Sequence, residues 1–327
     1  MKRILTTVAA VAAAALALSA CGTTEPAADA AAAKKPAEKI TLTDAHGAKV
    51  VLDGPAKKVV GTEWNIVESL ISLGVAPAGV ADVKGYKAWD TAAPLTNDAK
   101  DIGTRGEPSM DTIAALAPDL VIATTDLPPA AVKQMRKFAP VLELKAADAA
   151  DPIGRMTEDI NTIAKATGTT AQAEKLLKDF DTKLADGRRT IAAAGHAGAR
   201  FAFADGYVVS NQVSIRPYTS GSLIGAVNEK LGLKNPWTVK GDKDYGLGKT
   251  DVEGLTKLGD VQFAYISNKT DKDSNPFTGM LTKDDVWKSL PFVKKGNVHQ
   301  LPDGIWMFGG PLSMNGYVDS VVEALKK

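Results

Sequence analysis

The chain has one cysteine and three histidines in 327 residues. A single cysteine forbids an internal disulfide and a multi-thiolate metal site. His46, His196 and His299 fall in unrelated segments with no paired spacing. No zinc- or manganese-type ligand set is therefore expected. No Gly-x-Ser-x-Gly elbow and no His-Glu-x-x-His motif occurs in the sequence. Neither charge sign dominates: Lys and Arg number 39, Asp and Glu 38. With no basic stripe, nucleic acid is not an expected partner. No apolar run reaches the ~20 residues that a membrane-spanning helix needs.

The first residues carry a targeting pattern instead. Lys2 and Arg3 precede an Ala-rich apolar stretch, 4–17, and then Leu18-Ser19-Ala20-Cys21-Gly22. Small residues before a cysteine resemble a bacterial lipobox. That implies a signal peptide over 1–20 and a diacylglycerol on the Cys21 thiol. Residues 21–38 form a tether with almost no large apolar side chains, a composition that cannot bury a core. The expected location is the outer face of the cell membrane, reached through the lipid alone.

From Ile40 the pattern changes. ITLTDAHGAKVVL alternates apolar and polar residues around His46-Gly47, a hairpin signature. KKVVG, APAGVA, DLVIAT and PVLEL then read as strands, and the segments 64–73, 110–116 and 127–138 as helices. This alternation predicts an α/β lobe over 39–150 with a parallel sheet. Residues 151–195 hold no strand pattern and read as one long connecting helix, interrupted near Gly168-Thr169-Thr170. Alternation resumes over 196–327, with strands in RFAFADGYVVS, VQFAYIS and NVHQLP. The expected fold is therefore α/β, two Rossmann-like lobes joined by one long α-helix. A ligand would sit in the cleft between them, near the loops that leave the strands.

Those loops are rich in rings and guanidinium groups. Trp64 follows the first lobe-one strand, and Tyr86 and Trp89 lie after the next, beside Lys84 and Lys87. Arg105 follows the next turn. Arg216 and Tyr218 lie between a lobe-two strand and its helix, and Trp237, Tyr245, Trp306 and Phe308 complete the set. Trp287, in the periodic DVWKSL segment, is expected in the core.

Three segments carry a family resemblance. DIGTRGEPSMDTIAALAPDLVIA begins at Asp101, LGLKNPW at Leu231, and DVWKSLPFVKKGNVHQLPDGIWMFGGPLSM at Asp285. In this order they resemble the periplasmic binding proteins with a single helical linker, the class of siderophore, haem and cobalamin carriers. Arg105 before Glu-Pro, with NPW and IWMFGGPLS, is most similar to the hydroxamate-siderophore receptors. The resemblance implies that Arg105 contacts hydroxamate oxygens and that Trp237 and Trp306 line the pocket, with Tyr245-Gly246 at a similar spacing to an aromatic-Gly pair. The loop TTDLPPA lacks an aromatic that the pattern carries.

The resemblance further implies a monomer that delivers a ferric siderophore, of ferrioxamine or ferrichrome type, to an ABC permease and its ATPase. Acids would dock the permease: Glu253 in lobe two, Glu107 or Asp126 in lobe one. No cofactor and no direct metal ligand are needed. Ferric iron prefers oxygen donors, and a hydroxamate siderophore supplies them all. A catecholate complex, of charge about −3, would want several converging cations. Haem would want an axial ligand such as Tyr86 or Tyr218, and cobalamin is a further alternative within the class. The competing classes are an extracytoplasmic hydrolase and an adhesion lipoprotein with a flat surface.

Overall fold

The structure, a computed structural model, describes residues 38–326. The proposed signal peptide, Cys21 and nearly all of the tether lie outside the described residues. The chain enters through a hairpin of β1 (Ile40–Thr43) and β2 (Lys49–Leu52). Asp44 Oδ1 closes its turn by accepting from the His46 and Ala48 amides at 2.9 and 2.8 Å, while Gly47 takes the left-handed φ of +80°.

Lobe one then alternates: β3 (Val59–Gly61), α1 (Trp64–Ser72), β4 (Gly79–Val80), α2 (Val83–Trp89), β5 (Lys100–Asp101), α3 (Met110–Leu116), β6 (Leu120–Thr124), α4 (Pro129–Met135) and β7 (Val141–Leu144). The strands pair in parallel in the order β5-β4-β3-β6-β7. Successive units run outward from β3 in one direction and from β6 in the other. The crevice between their carboxyl ends is the switch point where such sheets bind ligands.

The 151–195 region is two helices rather than one. α5 (Pro152–Thr167) and α6 (Thr170–Ala193) break at Gly168, φ +74°. A side chain at Gly168 would press on Pro55 at 3.0 Å. Asp151 caps α5 by accepting from the Gly154 amide at 3.0 Å. α5 belongs to lobe one, where Ile160 and Ile163 pack with Leu42, Leu120 and Ile122. α6 is the connector. Its first turns (Ala173, Leu176) join that core, and its later ones (Phe180, Leu184, Ile191) join the core of lobe two. At 24 residues it is about 36 Å long.

Lobe two comprises β8 (Phe201–Val209), β9 (Gln212–Pro217), α7 (Leu223–Lys230), β10 (Gln262–Tyr265), α8 (Asp285–Ser289), α9 (Pro291–Lys294), β11 (Val298–Gln300) and α10 (Pro311–Leu325). The sheet order is β11-β10-β8-β9, parallel except for β9. β9 is a strand that the sequence pattern does not announce. Ser210 and Asn211 both take positive φ, 51° and 60°, giving the two-residue left-handed turn that suits a tight hairpin.

The lobes share one core. Trp64, Val67 and Tyr86 of lobe one are continuous with Phe203, Val227, Trp306 and Tyr317 beyond the connector. At this junction Glu68 on α1 accepts from the Ser313 amide of α10 at 2.9 Å and from its hydroxyl at 2.8 Å. Asp90 lies against both. Glu68 and Asp90 are buried, at 0% and 1% exposure. Burial raises both carboxyl groups, and for Asp90 the neighbouring Glu68 adds to the rise. Two carboxylates in contact away from water cannot both ionise, so the pair retains a proton at neutral pH.

This packing leads to two expected outcomes. Because the folded pair holds a proton that the unfolded chain releases, its stabilisation is complete at acid pH. It falls as pH rises from the ordinary carboxyl range towards the raised one, by about 1.4 kcal/mol per pH unit per proton. Asp90→Asn, which has no proton to lose, is expected to flatten this slope in urea titrations between about pH 5 and 8. In α6, a Cβ on Gly187 would lie 2.8 Å from both Leu231 and Val318. Gly187→Val is therefore expected to cost about 1–3 kcal/mol by overpacking, read as a lower denaturation midpoint.

Candidate functional site

A cavity of about 290 Å³ opens at the lobe-one switch point. Lobe one supplies Glu63 and Asn65 just beyond β3, Arg105 beyond β5, and Thr124 and Asp126 at the end of β6. Across it stand Tyr207 on β8, Arg216 on β9, Tyr245 and Leu247. Trp306 and Phe308, in the segment before α10, form the remaining wall.

Arg105 is held by rings on two sides. Its guanidinium carbon lies 4.1 Å from the Trp64 ring centre and 5.4 Å from that of Trp306. The two indoles meet edge-on at 4.7 Å. Trp64 is fixed in turn, its Nε1 donating to the Ala81 carbonyl at 3.0 Å. Arg105 also donates to Glu63 at 3.2 Å. Glu63 stands at the N-cap position of α1 yet makes no capping bond there; its side chain turns to the cavity. Burial raises its carboxyl above the ordinary value, Arg105 opposes that rise, and Asp126 adds to it.

Arg216 is fixed by different means. Its Nε donates to Asp205 Oδ1 at 2.9 Å and a terminal nitrogen donates to Oδ2, a bidentate pair. The Tyr218 hydroxyl donates to the same Oδ2 at 3.0 Å. The guanidinium then faces Phe308, 5.4 Å from its ring centre. Tyr245 donates its hydroxyl to Asp126 and meets Phe308 edge-on at 5.5 Å. That bond joins the two sides of the cavity.

Several sequence candidates stand elsewhere. Tyr86 is wholly buried and sits in α2, not in a loop; its hydroxyl donates to the Ala93 carbonyl. Trp237 is bonded through Nε1 to the Phe203 carbonyl at 3.0 Å and packs on the core around Phe263, away from the cavity. Trp64, 3% exposed, lies beneath Arg105 rather than on the cavity wall. Trp89 buttresses Trp306 at 6.4 Å. Tyr218, 1% exposed, stands behind Arg216. Trp287 is in the core with Phe263, Phe277 and Phe292, as expected. Glu107 and Glu253 are exposed, whereas Asp126 faces the cavity.

Glu63, Asn65, Thr124, Tyr207, Leu247 and the supporting Asp205 are additions that the sequence pattern does not single out. Asp205 does carry a signal, since it is the one charged residue in the buried run FAFADGY. A charge there needs a partner, and Arg216 directly opposes it across the hairpin.

A family model described as periplasmic binding protein matches residues 59–304. The iron(3+)-hydroxamate-binding protein FhuD of Bacillus subtilis is 29% identical over 319 residues, covering 95% of this chain and 94% of that protein. Among solved structures, the siderophore-binding protein FhuD of Vibrio cholerae, bound to Fe3+-Desferal, aligns with a TM-score of 0.73 at 24% identity, over 83% of this chain and 98% of that one. The triscatecholate siderophore-binding protein FeuA of B. subtilis, complexed with ferri-bacillibactin, aligns at 0.69 and 20% identity, over 87% and 97%. The structural likenesses establish the two-lobed fold with a helical connector. From the family match, the chain belongs to the periplasmic binding protein family, a family of solute-binding proteins and not of enzymes.

Proposed function

We propose that this chain is an extracytoplasmic lipoprotein that captures a ferric siderophore of the hydroxamate type and hands it to an ABC permease. The observation that carries the reading is Arg105, presented to the cavity from between two indoles. A guanidinium so placed offers parallel N–H donors to adjacent oxygens of an iron chelate, while Trp306, Phe308 and Tyr245 cover its carbon chain. Among the described residues no group of three His, Cys, Asp or Glu side chains could hold a metal ion. The iron would then arrive inside its own oxygen donors.

The cavity's charge favours hydroxamate over catecholate. Among the described residues two cations face it, and each is paired with an acid: Arg105 with Glu63, Arg216 with Asp205. A complex of charge about −3 would find no surplus of positive charge there, whereas three hydroxamates neutralise ferric iron. The FhuD relatives, named for hydroxamate binding, support this choice. Lipidation at Cys21 and docking of Glu253 and Glu107 on the permease complete the proposal. α6 and the shared core would limit how far the lobes part.

Ferric hydroxamates are expected to quench the tryptophan emission of the purified protein. Arg105→Ala should weaken their binding by about 1.5–3 kcal/mol, the scale of a hydrogen bond to a charged group. Tyr86→Phe should leave the Kd within about twofold while lowering stability by about 1 kcal/mol, the scale of one lost hydrogen bond. Quenching by a catecholate, haem or cobalamin, with every hydroxamate silent, would remove the hydroxamate assignment.

A further inference from the structure

Away from the cavity, the molecule has a second charged face, and its reading rests on the proposed lipid at Cys21. The parallel strands of both sheets turn their carboxyl ends to the cavity, so their amino ends share the opposite edge, the underside. In lobe one, Lys57 and Lys58 enter β3, Lys100 opens β5 and Lys137 precedes β7, all of them exposed. In lobe two, Arg200 enters β8 and Lys294 and Lys295 precede β11, again exposed. The same connections hold the acids Asp98, Asp119 and Asp260. Asp119 accepts from the Lys57 and Lys58 amides at 2.9 and 2.8 Å, and Asp260 pairs with Lys295 at 2.6 Å. α6 crosses between the two lobes with charges of both signs, Lys175 paired with Asp179 and Arg189 with Asp186. The underside therefore carries a surplus of positive charge. The cavity side carries acids instead: Glu63 and Asp126 line it, and Glu107 is exposed in the loop after β5.

Two further observations point the underside at a membrane. The first is where the chain enters. Ile40 pairs with Leu52 at the open end of the first hairpin, and residues 53–58 lead from there into β3. Lys39 pairs with Asp53 at 3.5 Å. The described domain thus begins on the underside, beside Lys57 and Lys58. Residues 21–37, with Lys34 and Lys35 among them, link that point to Cys21; fully extended they would reach at most about 60 Å. The second observation is Phe138, next to Lys137 and 37% exposed. An apolar ring flanked by cations suits the boundary between headgroups and acyl chains.

We propose that this underside rests on anionic phospholipid headgroups, so that the tethered protein holds its cavity away from the bilayer and towards incoming solute. Lysine and arginine side chains are drawn to an anionic lipid surface within about one Debye length, ~8 Å at physiological salt. The same surface repels the acids around the cavity, so the two faces favour one orientation. Delivery to a permease then requires the body to turn over on its link. Exposed, screened charges make a hold that can be exchanged for that contact.

Lysine acetylation read by mass spectrometry tests this on the lipidated full chain. The protein is placed in vesicles of phosphatidylcholine alone or with about 30 mol% phosphatidylglycerol. Labelling of Lys57, Lys58, Lys137 and Lys294 is expected to slow about threefold or more in the anionic vesicles. Lys84 and Lys87, exposed in α2 beyond the carboxyl end of β4, should be unaffected. Salt at about 1 M, with a screening length of ~3 Å, should erase the difference. In the double variant Lys57→Gln with Lys58→Gln, where the amides that hold Asp119 remain, protection of Lys137 should fall by about half or more. Equal labelling in the two vesicles, or equal slowing at Lys84 and Lys87, would overturn the resting orientation and leave the anchor standing. Flotation with the anionic vesicles alone would overturn the anchor and leave the lipid contact standing. Protection by soluble polyphosphate, with none from anionic vesicles, would remove lipid as the partner.

Discussion

Trp306 is where support and site meet. Its indole leaves the segment before α10 and reaches lobe one, meeting Trp64 edge-on at 4.7 Å, with Trp89 behind at 6.4 Å. The same ring forms one wall of the cavity and one side of the Arg105 clamp. Its backbone amide donates to the Ser313 hydroxyl at 3.3 Å, and Ser313 donates to Glu68. An unbroken set of contacts thus runs from a buried carboxyl pair, through the first turn of α10, to the guanidinium in the cavity. A long flexible side chain such as Arg loses rotamer entropy when it is ordered. Here the indoles and Glu63 already hold the guanidinium, so for the proposed ligand that loss would precede its arrival.

Two half-structures hinged by a rod would describe the chain incompletely. α6 spans the lobes, but α10 packs both against α6 and against α1. Further hydrogen bonds cross beside it: the Thr91 amide donates to the Gly304 carbonyl at 2.8 Å, and Asn268 Nδ2 donates to the Ala88 carbonyl at 2.6 Å. Opening the back of the cleft would expose continuous apolar core and break these bonds. At the front, the Tyr245–Asp126 bond lies at the surface, where water competes for both partners. Movement is therefore cheapest at the front, the side on which the proposed ligand would enter.

Local signals make much of the fold legible. α3 matches its expected bounds, 110–116, because Ser109 caps its start by accepting from the Thr112 amide and Ala117 ends it in the left-handed region. The central lobe-one strands β3 and β6 are short apolar runs buried throughout, as parallel strands should be. Sequence and structure part where the deciding contact is distant along the chain or hidden in a short element. Tyr86 reads as a loop residue because VKGYKAW holds a glycine and spans only seven residues. The helix there is started by Asp82, which accepts from the Gly85 amide while itself at φ +50°. Likeness of spacing points Trp237 at the cavity, yet a carbonyl 34 residues away fixes its indole. An indole needs one acceptor and an apolar bed, and both cores and clefts provide these. The residue type therefore cannot tell one from the other.

Charge at the cavity is the least legible property for a related reason. Counting along the sequence gives a chain close to neutral and two arginines in the candidate loops. It does not reveal that each arginine meets an acid of its own lobe, Glu63 after β3 or Asp205 within β8. Once so paired, neither arginine adds net attraction for an anion at long range; each contributes directed N–H groups instead. Such a cavity distinguishes ligands by total charge as much as by shape. On the proposed reading, a neutral oxygen-rich chelate would accept those donors without meeting a field of the wrong sign, whereas a polyanion would find no surplus of positive charge. Ion pairing within each lobe thus connects a local folding feature, the charge tolerated inside an apolar strand, with the class of solute proposed for the cavity.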